Sequence, residues 1–130
     1  ILDGFPRTLN QAQMLDDFFS NYAVINIEID KQLALERALG RITCSKCGRI
    51  YNKYSKEMKP KKDNICDDCN ISLIGRDDDN EESFNKRFNT YLDNVKGILE
   101  FYQNKNVLFT VAANESKYVT FDKVKKILGE

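Results

Sequence analysis

Apolar residues recur along this chain with two different periods. From Leu9 to Tyr22 the positions Leu9, Ala12, Leu15, Phe18 and Tyr22 are three or four apart, which predicts a helix. Thr8 or Asn10 can cap its start. Ala23 to Ile29 is instead a β-branched run with partial alternation, the pattern of a buried strand. Asp30 is placed to cap a short helix running to Leu39, with Gly40 as its stop. A longer helix is expected from about Asn80 to Asn104, with Phe84, Phe88, Tyr91, Val95, Leu99 and Tyr102 on one stripe. Asp79 with Glu82 three residues on resembles a capping box, and the acids suit the helix dipole. Val107 to Val111 is a further strand. Thr120 is expected to cap a last helix that turns Phe121, Val124, Ile127 and Leu128 inward. Ile1–Asp3 reads as the end of another strand, closed by a Gly-Phe-Pro turn.

Residues 41–77 break this order. They hold all four cysteines, carry few large aliphatics and show no helical period. A segment of this composition is an inserted module that cannot build a core of its own size from apolar burial. Outside it, strands alternate with helices, which predicts an α/β layer fold with a parallel sheet. The expected organisation is a first core part at 1–40, the insert at 41–77 and a second core part at 78–130. The chain starts on Ile rather than Met and shows no signal-peptide pattern. It is expected to be the C-terminal portion of a longer protein.

Charge sharpens this picture. The whole chain balances 20 Lys+Arg against 20 Asp+Glu, which argues against a polybasic nucleic-acid or membrane-surface protein. The balance is uneven locally. Residues 41–76 carry nine basic side chains against four acidic ones (Glu57, Asp63, Asp67, Asp68), and the run Asp77 to Glu82 follows. No apolar stretch approaches the roughly 18 residues of a membrane span. The chain has no His, so mechanisms built on an imidazole base or a His metal ligand are excluded.

The cysteines form two Cys-x2-Cys knuckles, Cys44/Cys47 and Cys66/Cys69, separated by eighteen residues. Two pairs at this spacing fit a tetrahedral four-thiolate zinc site with no open coordination position, hence a structural metal. Gly48 supplies the positive φ that such a turn needs. Two disulfides are the weaker reading, because nothing suggests secretion. The basic excess leaves one alternative from another class: a zinc ribbon that binds nucleic acid or protein, with Tyr51 and Tyr54 as candidate contacts. Tyrosines in so small a hairpin more often pack.

Arg7, Arg37, Arg41, Arg76 and Arg87 sit at element boundaries or on helix faces. Each alone is a solvated arginine. Together they would make a polyphosphate site, because guanidinium forks match phosphate oxygens. Asp3 at a strand end could hold Mg2+ through water; its plainer role is a turn-forming Asp-Gly.

At this point the chain resembles a known family. Asp3-Gly4-Phe5-Pro6-Arg7-Thr8 with Gln11-Ala12, then Glu36-Arg37-Ala38-Leu39-Gly40-Arg41, and then Arg76 to Glu82 with Lys86-Arg87, look like motifs of adenylate kinases. The four cysteines resemble the zinc-bearing LID of a bacterial branch. The resemblance runs over the whole chain. It implies part of a P-loop-type parallel sheet flanked by helices, with a small zinc-binding LID inserted. It implies transfer of the terminal phosphoryl of MgATP to AMP, giving two ADP, by a cytoplasmic and monomeric parent. Catalytic roles fall on Arg41, Arg76, Arg87, Asp78 and Asp79. AMP contacts fall on Gly4, Arg7, Gln11, Arg76 and Arg87, and ATP contacts on Arg37 and Arg41. Asp3 is associated with Mg2+, and Cys44, Cys47, Cys66 and Cys69 hold Zn2+. Phe5-Pro6 is expected to carry a cis peptide. The family's G-x-x-G-x-G-K phosphate loop does not occur in these residues, nor does its AMP-binding lid, so this piece is expected to be inactive alone. Another nucleoside monophosphate kinase is the nearest alternative; Gln11, on the same resemblance, favours AMP over a pyrimidine nucleotide.

Overall fold

A computed structural model describes residues 1–130. Its elements are α1 (Leu9–Phe18), β1 (Val24–Glu28), α2 (Lys31–Gly40), β2 (Arg41–Thr43), β3 (Ile50–Asn52), α3 (Glu81–Asn104), β4 (Leu108–Ala112) and α4 (Lys117–Leu128). They divide into two compact units, one of residues 1–29 and 88–130, the other of residues 30–87.

The first unit is an α/β layer. β1 and β4 pair in parallel, with Val24 opposite Leu108 and Glu28 opposite Ala112. Parallel pairing needs a crossover between the strands, and here the chain from α2 through α3 supplies it. α4 packs against β4. Ala12, Tyr102, Val111 and Ala113 are buried. Tyr22 meets Tyr102 edge-on at 6.0 Å. The Tyr22 hydroxyl and Lys105 Nζ both bond the Asp16 carboxylate, at 2.5 and 2.6 Å, tying α1 to the turn before β4. No helix is long and apolar enough to cross a membrane.

Several local expectations change in this unit. Residues 1–3 form no strand, because they have no ladder partner; Gly4 turns the chain at φ 77° immediately after them. Thr8 caps α1 through the Gln11 amide, as expected. The last helix starts earlier than Thr120. Ser116 caps it through the Val119 amide, and the Thr120 hydroxyl donates back to the Ser116 carbonyl from inside the first turn. The inward face is also narrower than expected. Val124 and Ile127 are half-buried, but Phe121 and Leu128 are exposed. Gly129 closes the helix at φ 83°, where its amide reaches the Lys125 and Lys126 carbonyls.

The second unit contains α2, the cysteine insert and the first turns of α3. Asp30 caps α2 by accepting from the Gln32 and Leu33 amides. β2 and β3 form an antiparallel hairpin with Ile42 opposite Tyr51. Thr43 also pairs with Ile74, which brings the two ends of the insert together. The insert's core is small: Ile42, Cys44, Tyr51, Cys66 and Leu73, with Cys69 and Ile71 against them. α3 is capped by Asn80, whose Oδ1 accepts from the Ser83 amide at 2.9 Å, and not by Asp79. Asp79 is occupied elsewhere, as described below.

Gly40 joins α2 to this hairpin by its lack of a side chain. A Cβ there would overlap the Asn52 side chain and come within 2.7 Å of the Tyr54 ring. Asn52, itself buried, donates to the Arg37 carbonyl at 2.9 Å, and the Lys53 amide donates to the Gly40 carbonyl. Gly40→Ala should therefore cost about 1–3 kcal/mol from forced overlap. Gly75→Ala, where a Cβ meets nothing within 4 Å, should be nearly neutral. Denaturant melts of the two variants check this; equal costs would show that the Gly40 contact is not a constraint.

Candidate functional site

The four cysteine sulfurs lie within 4.8 Å of one another, and none is in a disulfide. The Cys47 and Cys66 sulfurs are 3.8 Å apart. A tetrahedral metal with sulfur ligands at ~2.3 Å needs sulfurs about 3.8 Å apart, so the set fits a four-thiolate zinc site. The two knuckles are built alike. The Gly48 amide donates to the Cys44 carbonyl at 2.9 Å, and the Asn70 amide donates to the Cys66 carbonyl at 3.0 Å. Gly48 has φ 72° and Asn70 has φ 54°. Glycine takes that conformation freely, and asparagine is among the few other residues that tolerate it. Asn70 was legible in principle from its place after the second cysteine, but sequence reasoning singled out only Gly48.

The thiols are not equivalent. The Tyr51 hydroxyl beside Cys66 draws its thiol down to about 6, against the opposing effect of burial. Cys69 is pushed up to about 12, first by sharing a hydrogen bond with Cys47 and then by burial. Tyr51 packs in the insert's core, whereas Tyr54 is exposed.

A second cluster stands where the insert joins α2 and α3. Arg41, the first residue of β2, forks onto Asp79, with Nε to Oδ2 at 2.8 Å and NH2 to Oδ1 at 2.5 Å. The Asp79 side chain is only 3% exposed. Arg87 reaches both acids, at 3.3 Å to Asp78 Oδ2 and 3.7 Å to Asp79 Oδ1, and also bonds the Asp78 carbonyl. Arg76 Nε lies 3.3 Å from Asp78 Oδ1. Three guanidiniums thus share two carboxylates, and Arg76 and Arg87 remain about half exposed. The Arg41 hydrogen bond holds the Asp79 carboxyl below its ordinary value of 3.8, and the same bond raises Arg41. Such a group carries one net positive charge and keeps donors turned to solvent, which suits a polyanion. Arg37 lies in the last turn of α2, in the same unit.

The remaining candidates are in the other unit. Phe5-Pro6 is cis, as expected. The turn folds Arg7 back on itself: its Nε donates to the Gly4 carbonyl at 2.7 Å, and a Cβ on Gly4 would stand 3.2 Å from the guanidinium. The Arg7 amide donates to Gln11 Oε1 at 2.7 Å, which fixes the Gln11 side chain at the start of α1. Asp3 is exposed.

The adenylate kinase family model matches residues 1–107. The chain belongs to the adenylate kinase family. Among its relatives, the adenylate kinase of Thermotoga petrophila is 38% identical over 99% of this chain and 60% of its own length. That of Thermoanaerobacter sp. (strain X514) is 39% identical over 100% of the chain and 61% of its own length. That of Clostridium tetani is 37% identical over 99% and 61% respectively. The chain thus spans about three-fifths of the length of these curated relatives. The family model takes in α1, β1, α2 and α3 as well as the insert, and the relatives align over nearly the whole chain; a free zinc ribbon accounts only for the insert.

The Arg41–Asp79 fork makes an acid-limb prediction. Asp79 has a lowered folded pKa, so its stabilisation is present above 3.8 and is lost as pH falls through the folded value. Asp79→Asn should cost about 2 kcal/mol at neutral pH, because a charge-assisted bond to Arg41 is lost. It should also flatten the fall in stability below pH 4. Melting temperatures of both proteins across the acid range test this; parallel curves would mean that Asp79 does not couple to folding.

Proposed function

We propose that these residues belong to an ATP:AMP phosphotransferase, which reversibly moves the terminal phosphoryl of MgATP to AMP and yields two ADP. The observation that carries this reading is the cluster of Arg41, Arg76 and Arg87 on Asp78 and Asp79, in a member of the adenylate kinase family. Phosphoryl transfer asks the protein mainly for positioning and charge neutralisation, so a chain without histidine is suited to it.

In this reading Asp79 holds Arg41 in register. Arg76 and Arg87, half exposed on Asp78, exchange that carboxylate for phosphate oxygens when the polyanion arrives. Gly4, Arg7 and Gln11 take AMP: Arg7 grips its phosphate, and the free amide nitrogen of Gln11 reads the adenine edge. Arg37 lies against the ATP adenine. Asp3 reaches Mg2+ through water, and the segment Asn114 to Lys117 is a further candidate for adenine contact. Residues 41–77 act as a LID that closes over ATP and excludes water. Cys44, Cys47, Cys66 and Cys69 hold zinc, which supplies a rigid tetrahedral cross-link and no step of the reaction. The parent protein is monomeric and cytoplasmic in this reading.

Three experiments test these assignments. In a full-length parent, Arg41→Ala and Arg87→Ala should lower kcat by at least about 100-fold, the scale of losing one charge-stabilising donor. Arg7→Ala should mainly raise the KM for AMP. Small, equal effects in all three would assign them to the surface. The 130 residues alone, which hold no glycine-rich phosphate loop, should form no ADP from ATP and AMP; a coupled assay checks this. Cys66→Ala should abolish stoichiometric zinc binding and unfold the insert before the rest. Zinc retained by that variant would refute the four-cysteine site.

A further inference from the structure

The insert's most deeply placed aromatic side chain is also its only buried hydroxyl beside a sulfur. Tyr51 lies on β3, 3% exposed, packed among Ile42, Cys44, Cys66 and Leu73. Its oxygen is 2.9 Å from the Asp67 amide nitrogen and 3.5 Å from the Cys66 sulfur. The direction of these bonds follows from proton inventory. The Asp67 amide can only donate, so it takes a lone pair of the hydroxyl. The hydroxyl proton is then available to Cys66. A metal-bound cysteine is a thiolate and has no proton to return.

We infer that Tyr51 is a positioning residue of the metal centre: its hydroxyl donates to the Cys66 thiolate while anchoring the backbone of the second knuckle at Asp67. This rests on the zinc reading above. Tyr51 stands in the hairpin that carries the first knuckle, and both of its partners belong to the second. One side chain therefore sets the second knuckle against the first. Arg49 braces the same junction from outside, with its guanidinium 5.1 Å above the Tyr51 ring and 2.6 Å from Asp68.

The bond has a chemical consequence as well. Four thiolates around a divalent ion leave the centre with two net negative charges. A donor aimed at one sulfur takes up part of that charge, and a hydroxyl bonded to both the sulfur and the Asp67 amide holds the sulfur in the direction the site needs. Outer-shell partners of metal ligands are typically worth about 10–100-fold in metal affinity.

The test compares the full chain with Tyr51→Phe, which keeps the ring and removes the donor. Tyr54→Phe, at an exposed ring, is the control. Zinc release to excess chelating dye is timed, and the charge-transfer band of the cobalt-loaded protein is recorded. Tyr51→Phe should release zinc about 10–100-fold faster and shift the sulfur-to-cobalt band, with Tyr54→Phe unchanged. A fluorinated tyrosine at position 51, a stronger donor of nearly the same shape, should move both readouts in the opposite direction. That arm decides the matter even if the phenylalanine variant fails to fold. A band and a release rate that ignore both changes would overturn the inference while leaving the zinc site intact. A parent chain that gives no tetrahedral thiolate spectrum with cobalt would overturn the zinc reading and this inference with it.

Discussion

The insert depends on bringing four sulfurs to one point. Its hydrophobic cluster has five buried side chains, and two of them are the candidate ligands Cys44 and Cys66. Apolar burial of that extent does not fix so small a module, because each ordered residue costs backbone entropy. The sulfur cluster is therefore a large part of the core. That requirement explains the local conformations around it. Each knuckle has to reverse the chain within a few residues, so a positive-φ residue follows each second cysteine, Gly48 in one and Asn70 in the other. It also explains why the ends of the insert meet at Thr43 and Ile74 rather than trailing apart.

Electrostatics beyond the cage follow a division of labour among neighbouring acids. Asp77, Asp78, Asp79 and Asn80 are all residue types that cap helices well. Asn80 takes the cap, and that leaves the carboxylates for arginines. Asp79 is buried and binds Arg41 in both of its oxygens; Asp78 is half exposed and binds Arg76 and Arg87 more loosely. A buried fork is hard to break, because removing one partner strands the other charge. An exposed pair is worth little and exchanges easily. The cluster therefore combines one fixed guanidinium with two that can change partners.

Much of this was legible from the chain itself. The knuckles were readable because ligand spacing is a covalent constraint. β1 and β4 were readable because β-branched runs bounded by polar residues have few other uses. Asp30 was readable as a cap because no rival stood nearby, whereas Thr8 was one of two options with Asn10. The failures have a common physical cause. At Asp79 and Asn80, and again at Ser116 and Thr120, two good caps lie within one turn, and local rules do not choose between them. At the first pair a distant arginine decided the outcome. At the second, the helix began one turn earlier, at Ser116; separately, Phe121 and Leu128 are exposed. Residues 1–3 have strand composition, but a strand is a relation between two segments, and no ladder partner stands beside them. Tyr51 beside Cys66 had no signature at all, since its partner is fifteen positions away and the spacing follows no rule.

The four-cysteine cluster and the arginine cluster are also joined by contiguous contacts. Cys66 touches Tyr51, and Tyr51 lies opposite Ile42 in the β2–β3 ladder. Asn52, next along β3, holds the carbonyl of Arg37 and fills the space that Gly40 leaves open. Arg41 follows Gly40 directly and forks onto Asp79. Every link in that chain is a packed or hydrogen-bonded contact within a single compact unit. Contiguity of this kind conveys position and carries no signal by itself. It does mean that the placement of the four sulfurs bears on the placement of the arginines. Guanidinium forks discriminate by angle and distance, so their value to a polyanion depends on how firmly their backbone is held. For Arg41 that backbone begins the hairpin whose core is the sulfur cage. A sulfur cluster is thus a way for a short, aliphatic-poor segment to hold the backbone of a charged side chain in place.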